Sequence, residues 1–265
     1  PYFPLPRVLN GLFEVVHRLF SIRVEPVALP QLWHESVTFY DVVDATGARR
    51  GSFYLDLFAR ANKRGGAWMA DAIDRRRLPD GGVQTPVAFL VCNFTPPADG
   101  QPTLLTHEEV LTLFHEFGHG LHHLLTRVDE PAVAGINGVP WDAVELPSQF
   151  LENWCWQREA LDLIAAHHES GDSLPGDLFK RLSAARRFQS ARAMLRQLEF
   201  SIFDLRLHSR FDPDGEETIQ QVLDDVRASL SVAEWPPYNR FQHAFSHIFA
   251  GGYAAGYYSY LWAEV

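Results

Sequence analysis

The run His115-Glu116-Phe117-Gly118-His119 sets two imidazoles four residues apart, with a carboxylate beside the first. On a helix this spacing puts both rings on one side, one turn apart, where a single zinc ion can hold them. Glu116 then stands where it can take a proton from a water at that ion. A third ligand is still needed, and Glu145, heading Glu145-Leu146-Pro147-Ser148-Gln149, is a candidate. The chemistry such a set performs is metal-assisted hydrolysis of a peptide bond. A bare His-Glu-x-x-His also arises by chance, and two core histidines bonded to backbone carbonyls would satisfy it.

The longer pattern His-Glu-x-x-His-x-x-Gly-x-x-His fails here, because His122 and Leu125 occupy its glycine and its third histidine. His122 and His123 follow within a turn of His119, but one straight helix wraps three imidazoles around a tetrahedral ion poorly. A carboxylate from a second helix fits better. Glu145, Gln149 and Glu152 fall at i, i+4 and i+7 and share a face. Pro147 is tolerated only near a helix start, which puts Glu145 at the N-terminal end. Complementing the helix dipole would account for Glu145 alone, but not for Glu152 two turns further along.

A second constellation runs from His247 through Gly251, Gly252 and Tyr253 to Tyr257 and Tyr260. The three tyrosines recur at i, i+4 and i+7. Peptide hydrolysis passes through a tetrahedral oxyanion, and a phenol O–H can donate to it without carrying charge. The glycine pair permits close backbone approach to a substrate. An aromatic packing stripe is the plainer explanation, and three tyrosines rather than Phe or Leu argue modestly against it.

Thr106-His107-Glu108-Glu109 forms a capping box, and Val110, Phe114, Phe117 and Leu121 then recur at helical spacing. Further apolar residues on its other sides predict a buried helix. Upstream, a helix is predicted over Pro6 to about Phe20. Val37–Tyr40 and Ser52–Phe58 read as a hairpin turning near Asp44-Ala45-Thr46-Gly47. Val87–Phe94 is a third strand, bounded by Pro86 and by Pro96-Pro97. After the Glu145 helix, helices are predicted over Arg158–Glu169, Asp177–Ser209 and Glu217–Ser229. The fold class is mainly α with a small β-sheet beside the active site, and a strand there could pair with an extended peptide.

With these residues in view, the chain resembles the thimet oligopeptidase family of zinc peptidases. The resemblance rests on Phe114 through His123, on Glu145 through Trp154 and on His247 through Trp262. Gly51-Ser52-Phe53-Tyr54-Leu55-Asp56-Leu57 and Lys63-Arg64-Gly65-Gly66-Ala67-Trp68 also fit. It implies a zinc-dependent metalloendopeptidase acting on short oligopeptides, in the zincin-like catalytic region of a larger clamshell or channel peptidase. It implies one zinc per chain on His115, His119 and Glu145, with Glu116 as general base. Tyr257 and Tyr260 would assist the oxyanion, and His247 would face the substrate. Gly251, Gly252 and Tyr253 would line the cleft, and Glu152 would orient a ligand histidine. Family members are longer, so residues 1–265 are expected to be part of a catalytic domain, lacking the N-terminal helical region and the C-terminal end. The first residue, Pro1, and the unterminated apolar stretch Tyr257–Val265 point the same way.

A net charge of −10 over 265 residues argues against nucleic acid as a partner. No apolar run is long enough to span a membrane, and no signal peptide is visible. Two cysteines, Cys92 and Cys155, without a disulfide framework suit a reducing compartment. A cytoplasmic monomer acting on short peptides is expected. Two rivals remain. A peptide-binding module that has lost catalysis would lack Glu116 or a ligand, and all are present. A zinc aminopeptidase would need a Gly-x-Met-Glu-Asn-like run, and neither Met69 nor Met194 sits in one.

Overall fold

A computed structural model describes residues 1–98 and 100–265. The chain is helix-rich with a small mixed sheet, and it divides into two compact units. The first unit comprises Pro1–Val139 and Pro147–Arg181, and the second comprises Pro140–Leu146 and Leu182–Val265.

The first unit opens with helix α1 (Leu5–Phe20), one residue longer than predicted, which buries Val8, Leu12, Val15 and Val16. A five-stranded sheet follows, built from β1 (Arg23–Pro26), β2 (Thr38–Val43), β3 (Arg49–Phe58), β4 (Trp68–Ile73) and β7 (Val87–Phe94). A two-residue ribbon, β5 (Arg76–Arg77) with β6 (Val83–Gln84), lies between β4 and β7. The sheet order is β1-β2-β3-β7-β4. β3 and β7 pair in parallel, with Ser52 opposite Val87 and Leu55 opposite Leu90, and the other pairs are antiparallel. β4 is therefore an edge strand.

Helix α2 (His107–Leu124) starts at the predicted capping box. Thr106 Oγ1 accepts from the Glu109 amide at 3.2 Å, and Glu109 Oε2 accepts from the Thr106 amide at 2.7 Å. This helix packs on β7, β4 and β3. Phe114 and Phe117 are fully buried, and the Phe117 ring meets Phe53 edge-on at 5.4 Å. Burying side chains of this size contributes about 2–3 kcal/mol each, enough to hold α2 at a fixed depth against the sheet. Helix α3 (Leu146–Glu152) follows, then α4 (Arg158–Ile164), which packs against α1.

A buried ion cluster ties β3 to β7. Asp56 is 3% exposed. It accepts from Arg60 through both oxygens at 2.7 and 2.8 Å, from Lys63 at 2.8 Å and from Trp33 at 3.1 Å. Lys63 also donates to the Cys92 carbonyl on β7 at 2.6 Å. Burial opposes ionisation of Asp56, but the Arg60, Lys63 and Trp33 hydrogen bonds outweigh it and hold its pKa at about 2.

Helix α5 (Gly176–Arg187) ends in the stretch where one continuous helix over Asp177–Ser209 was predicted. The second unit carries α6 (Ser190–Ser209), α7 (Ile219–Leu230), α8 (Ser246–Phe249) and α9 (Ser259–Glu264). The break between α5 and α6 falls at Gln189, which takes the left-handed conformation at φ 56°. Phe203, Leu223, Val226, Phe245, Ile248 and Tyr257 form the core of this unit.

Candidate active site

In the first unit, α2 delivers His115 and His119 to one side, as their spacing requires. Their ring centroids are 4.9 Å apart with the planes nearly perpendicular. The Nδ1 of His115 faces Glu152 Oε1, the last residue of α3, at 2.7 Å. Glu116 and His119 are buried, at 5% and 7% exposure. The two helices meet closely at Gly118: a Cβ there would lie 2.5 Å from the Pro147 carbonyl oxygen and from the Ser148 Cα. Glycine at this position is what allows α3 to bring Glu152 against His115.

Of the two following histidines, His123 has a partner outside the pair. His123 is fully buried and its Nε2 is 3.0 Å from the Ile73 carbonyl at the end of β4. Burial, with His119 and His123 nearby, holds His122 below the usual imidazole range.

In the second unit, Glu145 is 1% exposed, and the Tyr253 phenol donates to its Oε1. Tyr253 is expected to line the cleft, and its hydroxyl is engaged by the candidate ligand. The tyrosines do not lie on one regular helix, because α9 begins only at Ser259. They converge through a turn. Tyr253 and Tyr260 stack at 5.4 Å, Tyr257 and Tyr260 lie 4.9 Å apart, and the His247 ring is 5.7 Å from Tyr257.

Two residues that the sequence reading passed over build that turn. Asp204, fully buried on α6, accepts from the backbone amides of Ala255 and Tyr257, each at 2.9 Å. Its signal was an acid inside the apolar run Phe203-Asp204-Leu205. Trp141 meets the Tyr253 ring edge-on at 4.7 Å, and a Cβ on Gly252 would lie 2.4 Å from a Trp141 ring carbon. Gly252 has φ +88°, so both its backbone and its neighbour demand glycine. This accounts for Gly252 without a substrate. Gly251 is likewise confined: a Cβ there would lie 2.9 Å from the His247 carbonyl oxygen.

Electrostatics keep the phenols protonated. Burial, set against Arg196 and reinforced by Glu145, pushes Tyr257 up to about 12. Tyr260 is pushed further, by burial, by the Glu145 charge and by Tyr253. Both are therefore neutral hydrogen-bond donors at any working pH. Burial also raises the Cys92 and Cys155 thiols, so neither is a ready nucleophile.

The chain has curated relatives along its whole length. Oligopeptidase A of Escherichia coli strain K12 is 56% identical over 265 residues, 100% of this chain and 39% of that protein. The organellar oligopeptidase A, chloroplastic/mitochondrial, of Arabidopsis thaliana is 50% identical over 270 residues, 100% of this chain and 34% of that one. Dipeptidyl carboxypeptidase of Salmonella typhimurium is 38% identical over 269 residues, again 100% and 39%. The chain thus spans well under half the length of these curated relatives. No helix among the described residues is long and apolar enough to cross a membrane. The model of peptidase family M3 matches residues 1–265, the three motifs included, and the chain belongs to that family.

Proposed function

We propose that the chain carries the catalytic centre of a zinc metalloendopeptidase that hydrolyses short oligopeptides. The observation that carries this reading is the seating of His115. A carboxylate on Nδ1 leaves the lone pair on Nε2, the arrangement of a metal-ligating imidazole. His119 stands one turn further on. With Glu145, these residues offer two imidazole nitrogens and one carboxylate oxygen, a donor set that suits zinc and leaves a fourth position open. Glu145 is joined through Leu146 to the turn of α3 that lies against Gly118.

Zinc, when bound, would act as a Lewis acid on the scissile carbonyl and lower the pKa of a water there. Glu116 accepts the proton of the attacking water and passes it to the leaving amine nitrogen. Tyr257 and Tyr260 donate to the carbonyl oxygen as it gains negative charge, a role that their raised pKa values suit. Glu152 orients His115, and Tyr253 orients Glu145 while lining the cleft with Gly251 and Gly252. His247, close to all three phenol rings, faces the substrate. The free side of edge strand β4 can accept an extended peptide.

We read the chain as part of the zincin-like catalytic domain of a larger clamshell peptidase; the greater length of its relatives, of one of which it spans 39%, supports the larger whole alone. A cytoplasmic, monomeric enzyme fits best, and one Arabidopsis relative is named a probable cytosolic oligopeptidase A.

The test is to incubate the full-length protein with a set of short peptides and map the products by mass spectrometry. Internal cleavage is expected. In Glu116→Gln, cleavage should fall by about 10²–10⁴-fold with zinc retained. A variant that cleaves at the wild-type rate would remove Glu116 from the mechanism.

A further inference from the structure

Two acids are buried on α6, and they are used differently. Glu199 is bound by the side chains of Arg196 and Arg227. Asp204, fully buried beside Phe203 of the apolar core, gives both oxygens to the backbone of a distant segment. Its Oδ1 accepts from the Ala255 amide and its Oδ2 from the Tyr257 amide, each at 2.9 Å. His208, one turn further along α6, adds a third contact, with Nδ1 2.8 Å from Oδ1 and 3.0 Å from the Asp204 carbonyl oxygen. Both of these neighbours are acceptors, so that nitrogen carries a proton. A carboxylate withdrawn from water is costly unless it is supplied with donors in this way. Packing alone gives no reason for an acid at this place.

The turn that Asp204 holds does not hold itself. Ala255 has φ 56°, a left-handed conformation that is costly for a residue with a Cβ and persists where the surroundings impose it. The two bonded amides flank Gly256, and the second belongs to Tyr257. The Tyr257 ring is fixed on its own account, edge-on to Phe200 and Phe245 at 5.6 and 5.0 Å. With backbone and ring both fixed, the direction of the phenol is set before any substrate arrives. Tyr253 is anchored separately: its amide donates to the His247 carbonyl at 3.1 Å and its phenol to Glu145. One half of the turn is thus tied to the candidate metal ligand and the other half to Asp204.

We propose that Asp204 is a positioning residue for peptide hydrolysis, holding the Tyr257 hydroxyl where the oxyanion forms. This role rests on the oxyanion function proposed above for Tyr257. The carboxylate acts through the backbone of Tyr257 rather than on the substrate. A donor misplaced by about 1 Å can forfeit on the order of 10²-fold in rate, so an anchor under the backbone of that donor is a lever on kcat.

The experiment is a double-mutant cycle in the full-length enzyme. Asp204→Asn keeps the size of the side chain and turns an NH2 group towards one of the two amides. kcat for a short peptide should fall about 10–100-fold, with KM and zinc content unchanged. Tyr257→Phe, alone and combined with Asp204→Asn, gives the readout that a merely structural role would not move. If Asp204 works through the phenol, the double variant is no slower than the slower single variant. If it only stabilises the fold, the two losses multiply. Wild-type kcat in Asp204→Asn, multiplied losses in the double variant, or zinc lost along with kcat would overturn the proposal. Wild-type kcat in Tyr257→Phe would remove the oxyanion reading and this role with it, so the two failures are told apart. Where Asp204→Asn does not fold, the α-hydroxy analogue of tyrosine at position 257 asks the same question. It keeps the phenol and Asp204 and replaces only the amide N–H by an ester oxygen. kcat should again fall severalfold at unchanged KM, and wild-type kcat there would overturn the proposal.

Discussion

The Tyr253 phenol donates a hydrogen bond to the carboxylate of Glu145, 108 residues earlier in the chain. An acid meant to hold a metal gains from such a partner, which fixes its rotamer and takes up part of its charge. Tyr253→Phe should therefore weaken zinc binding by roughly tenfold, the low end for outer partners of a metal ligand. At saturating zinc, kcat should change little. Competition with a chelating dye measures the first and peptide turnover the second. A large kcat loss with unchanged zinc affinity would move Tyr253 from the ligand to the substrate.

Glu152 makes the matching prediction on the other side. Its carboxylate stands 2.7 Å from Nδ1 of His115. Glu152→Ala frees that ring and should reduce zinc affinity by about 10–100-fold. The same competition assay reads it. Unchanged affinity would leave the pair as a surface-side ion pair of little consequence.

Tyr257 and Tyr260 differ in what surrounds them. Tyr257 is buried and packs edge-on to Phe200 and Phe245 at 5.6 and 5.0 Å. Tyr→Phe keeps the ring in either case and removes only the donor. A lost oxyanion donor should cost on the order of 10²–10³ in kcat with KM little changed. Both single variants of the full-length enzyme should show it, with melting temperatures unchanged. Small, equal effects at both positions would return the phenols to a packing role.

The parts of this fold that local chemistry decides were legible in the sequence. The capping box at Thr106 and the apolar period of α2 located the helix that carries His115 and His119. Val87–Phe94 matches its predicted bounds because Pro86 and Pro96 fence it. Edge strand β4 escaped notice: Trp68-Met69-Ala70-Asp71-Ala72-Ile73 has no clean alternation, and it becomes a strand by pairing with β7. The break at Gln189 also left no glycine or proline to mark it. In the site, spacing foretold that the tyrosines would gather but not how. They meet through a turn anchored on Asp204, a contact more than fifty residues away that periodicity does not register.

Asp56 predicts an acid-sensitive first unit. Its folded pKa of about 2 lies below the ordinary 3.8, so the charged form is favoured on folding. That stability is present above pH 4 and is lost as pH falls from about 4 towards 2, amounting to about 2 kcal/mol. Asp56→Asn should lower the unfolding midpoint at neutral pH and flatten its dependence in that window. Chelated protein avoids the separate proton linkage of metal binding. An unchanged slope between pH 4 and 2 would show that other carboxylates carry the acid sensitivity.

The central claim is the ligand set, and zinc stoichiometry tests it most directly. Elemental analysis of the purified full-length protein should give about one zinc per chain. His115→Ala, His119→Ala and Glu145→Ala should each fall far below that under the same dialysis. Full occupancy in folded Glu145→Ala would contradict the account, because the carboxylate that Tyr253 holds would then not be a ligand.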